Sequence, residues 1–189
     1  MALLHRATLT PSKPELLAAW VPRQPWASGL PPLVPFGGYR LDDPAGEVGL
    51  EGILLRSEDG SEDGSVVVHV PLTYRGASLE GAEEHLLGTT EHSVLGTRWV
   101  YDATADPVFV ATLTSIVAEG GGGAEEYFEV DGERVTREPK VRISGSGTAP
   151  DELEVVHVVA RGPEGDAALT GQWDGGDGVL VVVRTAGSR

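Results

Sequence analysis

The sequence predicts a strand-rich α+β fold. Its 189 residues include 26 glycines and 13 prolines, so many turns and short elements are expected. Several short segments are rich in β-branched residues or alternate in polarity, which is typical of strands. Two segments carry the start signals of helices. The length suits one well-buried core, or one core with a small annex.

The first helix is predicted to begin at Ser12. Ser12 and Glu15 have the three-residue spacing of a capping box, and Pro22 ends the helix. The side chains that share one face of this helix are Leu16, Leu17 and Trp20. Residues 23–35 contain four prolines and predict an extended or looping connection.

Three strand candidates follow the first helix. They lie at residues 36–41, 47–56 and 65–74. The acidic segment 57–64 joins the last two, and its Asp-Gly repeats predict an exposed hairpin loop. This loop lacks the spacing and the closing Glu of an EF-hand, so a solvated loop is favoured over a cation site.

The middle of the chain contains the second helix. Residues 82–87 predict a helical fragment and residues 98–102 a short strand. Asp106 followed by Pro107 is typical of a helix start, and Gly120 of a helix end. The apolar face of this helix is predicted to comprise Phe109, Val110, Leu113, Thr114, Ile116 and Val117.

The C-terminal part is predicted to be a β meander without a helix. Four consecutive glycines at residues 120–123 leave a helix, whereas a phosphate-binding loop leads from a strand into one, so a linker is expected. Six strand candidates follow, at residues 127–130, 134–136, 140–143, 152–161, 167–173 and 178–185, with glycine turns at 131–132 and 162–165 between some of them. The aliphatic run from Val179 to Val183 predicts a buried strand, and it would support a homodimer if its edge were open.

The charge of the chain limits its partners. The formal net charge is −15, and the 14 Lys and Arg residues form no patch. Nucleic acid and anionic membranes are therefore not expected partners. The chain has no Cys, which excludes disulfides, thiolate catalysis and Cys-ligated metals and suits a reducing cytoplasm. No stretch approaches the roughly 20 apolar residues that span a bilayer, so we expect a cytoplasmic protein.

Several distinctive motifs occur in order along the first part of the chain. They are KPELL at 13–17, WVPRQPW at 20–26, PLTYRGASLEGAE at 71–83, GTTEH at 88–92, RWVYD at 98–102 and Asp106-Pro107. Over about residues 1–118 the chain resembles the N-terminal cap domain of actinobacterial maltokinases. It is also similar to stand-alone actinobacterial proteins that contain only the cap-like domain, and we expect it to be one of these.

The resemblance has implications for fold and chemistry. It implies an α+β fold in which a curved antiparallel sheet packs against two or three helices. The expected organisation is a cap-like domain at 1–118, a linker at 119–125 and a β-rich subdomain at 126–189 packed on the first. In the kinases the cap holds neither the catalytic base nor the metal ligands, so a non-catalytic module is implied. Residues 126–185 look like a remnant of a kinase lobe, but Lys140 is their only candidate for a nucleotide-binding lysine, so ATP is not an expected cofactor.

The sequence offers one alternative catalytic cluster. Kinase signatures and a nucleophile elbow are missing from usable contexts. The only group that resembles a metal or acid/base site comprises His85 and His92 with Glu83, Glu84 and Glu91. Its two histidines are seven residues apart in a glycine-broken segment, so no catalytic, metal or cofactor-binding residue is predicted.

Aromatic and charged residues within the motifs are the candidates for a ligand or partner surface. They are Trp20, Trp26, Tyr74, Arg75, Glu80, Glu83, Arg98 and Trp99. The structural alternative for the two N-terminal tryptophans is core or lid packing. The structural alternative for the two arginines is pairing with Glu80, Glu83 or Asp102.

Three functions are compatible with these observations. The first is a binding or regulatory module that docks to a protein of trehalose, maltose or α-glucan (glycogen) metabolism, either a sugar kinase or an α-glucan-active enzyme. The second is a sensor that stacks a small sugar on Trp20, Trp26 or Trp99. The third is an uncharacterised enzyme that uses Glu83, His85, Glu91 and His92.

Overall fold

The computed structural model describes residues 2–3, 7–57, 66–130, 133–159 and 166–183. Residues 58–64 of the predicted acidic loop and the predicted turns at 131–132 and 162–165 lie outside these ranges. The strands are β1 (Ala2–Leu3), β2 (Leu9–Thr10), β3 (Leu33–Leu41), β4 (Gly49–Ser57), β5 (Val67–Arg75), β6 (Leu86–His92), β7 (Gly96–Asp102), β8 (Glu126–Val130), β9 (Glu133–Arg137), β10 (Val141–Gly145), β11 (Leu153–Val155), β12 (Val158–Val159), β13 (Ala167–Trp173) and β14 (Gly176–Val183). The helices are α1 (Lys13–Trp20) and α2 (Pro107–Glu119), with 3-10 turns at Val21–Arg23, Pro25–Ala27, Glu83–His85 and Ala103–Ala105.

The central element is a curled antiparallel sheet of seven strands. Six of its strands follow the order β2-β6-β7-β5-β4-β3, and β12 pairs with the first residues of β5. A second antiparallel sheet has the order β10-β13-β14-β11, and a small third sheet has the order β1-β8-β9. The described residues are thus mostly β with two α-helices, so the expected α+β class is confirmed only in part.

Both predicted helices form where their end signals lie. The backbone N–H of Ser12 donates to the Glu15 carboxylate at 2.7 Å, which completes the capping box of α1. The Asp106 carboxylate accepts the N–H of Val108 at 3.0 Å and caps α2. Gly120 ends α2 with φ +66°, a left-handed conformation that favours glycine.

Each face of the seven-stranded sheet has its own hydrophobic core, because side chains alternate along each strand. On one face, Ile53 and Leu55 of β4 and Val70 of β5 pack with α1 and the following 3-10 turns. On the other face, Leu50 and Leu54 of β4 pack with α2 and the second sheet. The core on this second face includes residues from before and after the glycine run.

Four expectations about individual elements are corrected. Residues 86–92 form strand β6 rather than continuing a helical fragment, and only Glu83–His85 is helical, as a 3-10 turn. The C-terminal strands are not a meander, because β11 pairs with β14 and β12 joins the other sheet. Val110 and Thr114 lie outside the buried face of α2, and Val110 is 46% exposed. Finally, β14 has a neighbour on each side, β13 and β11, so it does not supply the open edge proposed for a homodimer.

Candidate functional site

The three tryptophans of the predicted surface do not meet in one place. Trp20, the last residue of α1, is buried in the core, with its ring centroid 6.1 Å from that of Trp26. Trp26 is half-buried and stacks on the imidazole of His157, with centroids 4.5 Å apart. Trp99 on β7 is adjacent to Val100, which belongs to the same core as Trp20. Because side chains alternate, Trp99 faces the opposite side of the sheet, so no three-tryptophan sugar platform is formed.

Arg75 of β5 pairs with the carboxylate of Asp106, a partner that was not predicted from the sequence. Its guanidinium donates two hydrogen bonds to Asp106, from Nε at 2.7 Å and from Nη2 at 2.8 Å. Asp106 is fully buried. Burial alone would raise the pKa of its carboxyl, but hydrogen bonds from Arg75 and from Val108 N–H outweigh it and hold the pKa below its ordinary value. The expected pairing of Arg75 with Glu80, Glu83 or Asp102 is therefore wrong.

Tyr74 and Arg98 lie in one groove. We call it the charged groove, and it has a volume of about 610 Å³. The cations that line it are Lys13, Arg40, Arg98 and Arg137. Tyr74 contributes an aromatic ring, which lies 5.3 Å from the Lys13 ammonium. These are the members of the predicted surface that the fold brings together in a groove.

Glu51 of β4 lies beside the charged groove, and the acidic residues of the lining itself are Asp42, Asp43 and Glu47. Glu51 forms an ion pair with Lys13, and its Oε2 is 3.7 Å from Nη2 of Arg40. Burial would raise the pKa of Glu51, but the charges of Lys13 and Arg40 outweigh it and lower the pKa. Glu51 is therefore ionised at neutral pH, and the groove presents fixed charges and hydrogen-bonding groups to solvent.

The residues of the alternative catalytic cluster are spread along a strand. Glu83 and His85 precede β6, whereas Glu91 and His92 end it, and a strand of this length spans about 20 Å. Nδ1 of His85 lies 3.7 Å from Asp102, and Nδ1 of His92 accepts the N–H of Leu95 at 3.1 Å. The four side chains therefore do not form one acid/base site. Glu80 and Glu83 are both exposed.

The described residues hold no group of three or more His, Asp or Glu side chains arranged to bind a metal ion. Within the same ranges, neither helix has the length and apolarity needed to cross a bilayer.

The exposed side of α2 is a surface that the sequence reasoning missed. We define the α2 outer face as Pro107, Val110, Ala111, Thr114, Ser115 and Ala118, which the helical period places on one side. The opposite side buries Phe109, Leu113 and Val117. No residue from 107 to 118 is charged. The exposed side of a surface helix is usually charged or polar. The charge-free stretch was therefore the feature of the sequence that could have indicated this surface.

One comparison with known proteins found a match to part of the chain. No curated protein sequence matches the chain. Residues 20–106, a little under half of the chain, match the family model of the maltokinase N-terminal cap domain. The match covers strands β3 to β7 and includes Arg75 and Asp106. A cap domain is non-catalytic in itself. The predicted resemblance is thus confirmed over these residues, which are similar to the maltokinase N-terminal cap domain.

Proposed function

We propose that this protein is a non-catalytic interaction module that docks to a partner in trehalose, maltose or α-glucan metabolism. The partner class follows from the family of the matched domain, since the cap precedes a sugar kinase in maltokinases. The observation that carries docking is the α2 outer face. An uncharged and largely apolar helix side without a cover among the described residues is typical of a surface that another protein buries.

The docking proposal can be tested by reconstitution. The full chain is mixed with purified candidate partners from the same cells, namely a maltokinase-type catalytic domain and α-glucan-active enzymes, and complexes are measured by sedimentation velocity. We expect a complex with at least one of them. If the chain sediments alone with every one, this partner class is wrong. A phosphotransfer assay with ATP and maltose should give no product from the chain alone, and measurable turnover would contradict a non-catalytic role.

The charged groove favours a second candidate, the binding of a small sugar. Tyr74 offers a ring, and Arg98 and Glu47, which also lines the groove, offer groups that hydrogen-bond to hydroxyls. Thermal-shift measurements with maltose, trehalose and maltooligosaccharides test this candidate. A shift that is lost in Arg98→Ala supports it, and the lack of any shift removes it.

A further inference from the structure

The α2 outer face lies between two grooves. The first, of about 560 Å³, runs between α2 and β11 and is lined by Val110, Leu113, Leu153 and Val155. The second, of about 830 Å³, lies on the other side of α2 and is lined by Val108, Ala111, Thr112 and Ile116, among others. Together they extend the apolar surface on both sides of the helix.

The charged side chains that line the two grooves in the described part of the chain are acidic. Asp151, Glu152 and Glu154 line the first groove. Asp42, Asp43 and Glu119 line the second. No residue of either lining within the described ranges is a Lys or an Arg. An apolar surface with an acidic rim is complementary to an apolar surface with a basic rim.

We propose that the α2 outer face and its two grooves bind an amphipathic helix of a partner protein, with apolar side chains on one face and Lys or Arg at the flanks. This proposal rests on the proposed docking function and specifies its surface. Helix-in-groove recognition places apolar anchors at helical spacing, and α2 is long enough, at about 20 Å, to contact several of them.

A second copy of this chain fits the surface poorly. Two copies meeting through this face would oppose the same acidic rims, on chains that each carry a formal net charge of −15. Like charges placed against each other across an interface disfavour association. The charge complementarity therefore favours a basic partner over a homodimer through α2.

The first experiment uses a designed peptide as the probe. It is a fluorescent amphipathic helix of about 18 residues, or five turns, with Leu on one face and Lys and Arg at both ends. The control is a scrambled peptide of the same composition and charge. Fluorescence anisotropy with the full chain should show binding at least about tenfold tighter for the amphipathic peptide. Equal binding of the two peptides would overturn the proposal.

Variants separate apolar docking from attraction to an acidic protein. Val110→Asp adds a negative charge to an exposed position, so simple attraction predicts unchanged or tighter binding of the basic peptide. We expect instead a loss of about tenfold, because an apolar contact is replaced by a charge. Affinity that is unchanged or increased in Val110→Asp contradicts the proposal. Circular dichroism and thermal unfolding check that the variant is folded.

A matched pair of charge reversals tests the acidic rim. Glu119→Lys at the end of α2 and Glu133→Lys on β9 change the net charge equally, and both side chains are exposed. We expect Glu119→Lys to weaken peptide binding by about threefold to tenfold and Glu133→Lys to have little effect. Equal effects of the two would show attraction to net charge alone and contradict the proposal.

Measurements on the reconstituted complex test the docking function and the assignment of its surface separately. A partner complex that forms and survives Val110→Asp overturns the assignment of the α2 outer face and leaves the docking function intact. Peptide binding as expected without any complex with the candidate partners supports the surface and contradicts the partner class.

Discussion

Arg75 on β5 and Asp106 at the start of α2 are joined by two hydrogen bonds, at 2.7 and 2.8 Å. The same carboxylate caps the helix by accepting Val108 N–H. One buried side chain therefore links the central strand of the seven-stranded sheet to the N-terminus of α2. The position of the α2 outer face depends on this link.

Asp106→Ala should lower the free energy of unfolding by about 3 kcal/mol. The change removes the helix cap and leaves the Arg75 guanidinium without its partner in a largely buried setting. Urea unfolding followed by circular dichroism measures the effect. Asp151→Ala, at an exposed position, is the control and should change the stability by less than about 0.5 kcal/mol. A similar result for both variants would show that the buried pair contributes little.

The lowered pKa of Asp106 predicts a loss of stability in acid. A carboxyl whose folded-state pKa lies below its unfolded value stabilises the fold above the unfolded pKa, about 3.9. This contribution is lost as the pH falls from there through the folded pKa. Asp106→Asn should therefore have a smaller stability difference between neutral pH and pH below about 4 than wild type. Parallel pH profiles for the two proteins would contradict the assignment.

His69 should make stability fall already in mildly acidic solution. Burial, followed by the effect of His157, lowers the pKa of His69 to about 3, so the folded protein keeps it neutral. Below about pH 6.5 the unfolded chain binds a proton that the folded chain does not, and stability falls as the pH decreases towards 3. Between pH 7.5 and pH 5 this contribution amounts to about 2 kcal/mol. His69→Gln should remove it, as measured by urea unfolding at both pH values.

Gly52→Ala should be strongly destabilising because of Tyr39. A Cβ at Gly52 would clash with the ring of Tyr39, whose hydroxyl is hydrogen-bonded to Nε2 of His69 at 2.9 Å. Overpacking of this kind costs about 1–3 kcal/mol or more. Gly121→Ala is the control, since its Cβ would lie at an ordinary 3.5 Å from the nearest atom.

A double-mutant cycle identifies the source of the cost at Gly52. In a Tyr39→Ala background the clash is absent, so Gly52→Ala should cost less than about 1 kcal/mol there. An equal cost in both backgrounds would assign the effect to the backbone of β4 rather than to the ring.

The elements that the sequence predicted well are those set by local chemistry. Ser12 and Glu15 cap α1, and Asp106 and Gly120 bound α2, because caps involve residues close in the chain. β6 was missed because its stability depends on pairing with β2 and β7 rather than on its own residues, which include Gly88.

The site was less predictable than the fold, because its contacts are long-range. Arg75 and Asp106 are 31 residues apart, and several nearer carboxylates were equally plausible partners. Tyr74 and Arg98 were selected as surface residues, but their groove also needs Lys13, Arg40 and Arg137 from three other segments. The charge-free stretch of α2 was visible in the sequence, yet only the packing of Phe109 and Leu113 shows which side remains outside.

The two-sided burial of the seven-stranded sheet bears on how this domain can be dissected or transplanted. The residues that match the cap family begin at Trp20 and end at Asp106. Leu16 and Leu17 on one face, and α2 with the second sheet on the other, cover the sheet from outside that segment. The segment that matches the family model is thus shorter than the unit that shares the two hydrophobic cores. A graft limited to this segment would leave hydrophobic side chains on both faces of the sheet partly uncovered. Exchanges with other cap domains therefore need both flanking segments.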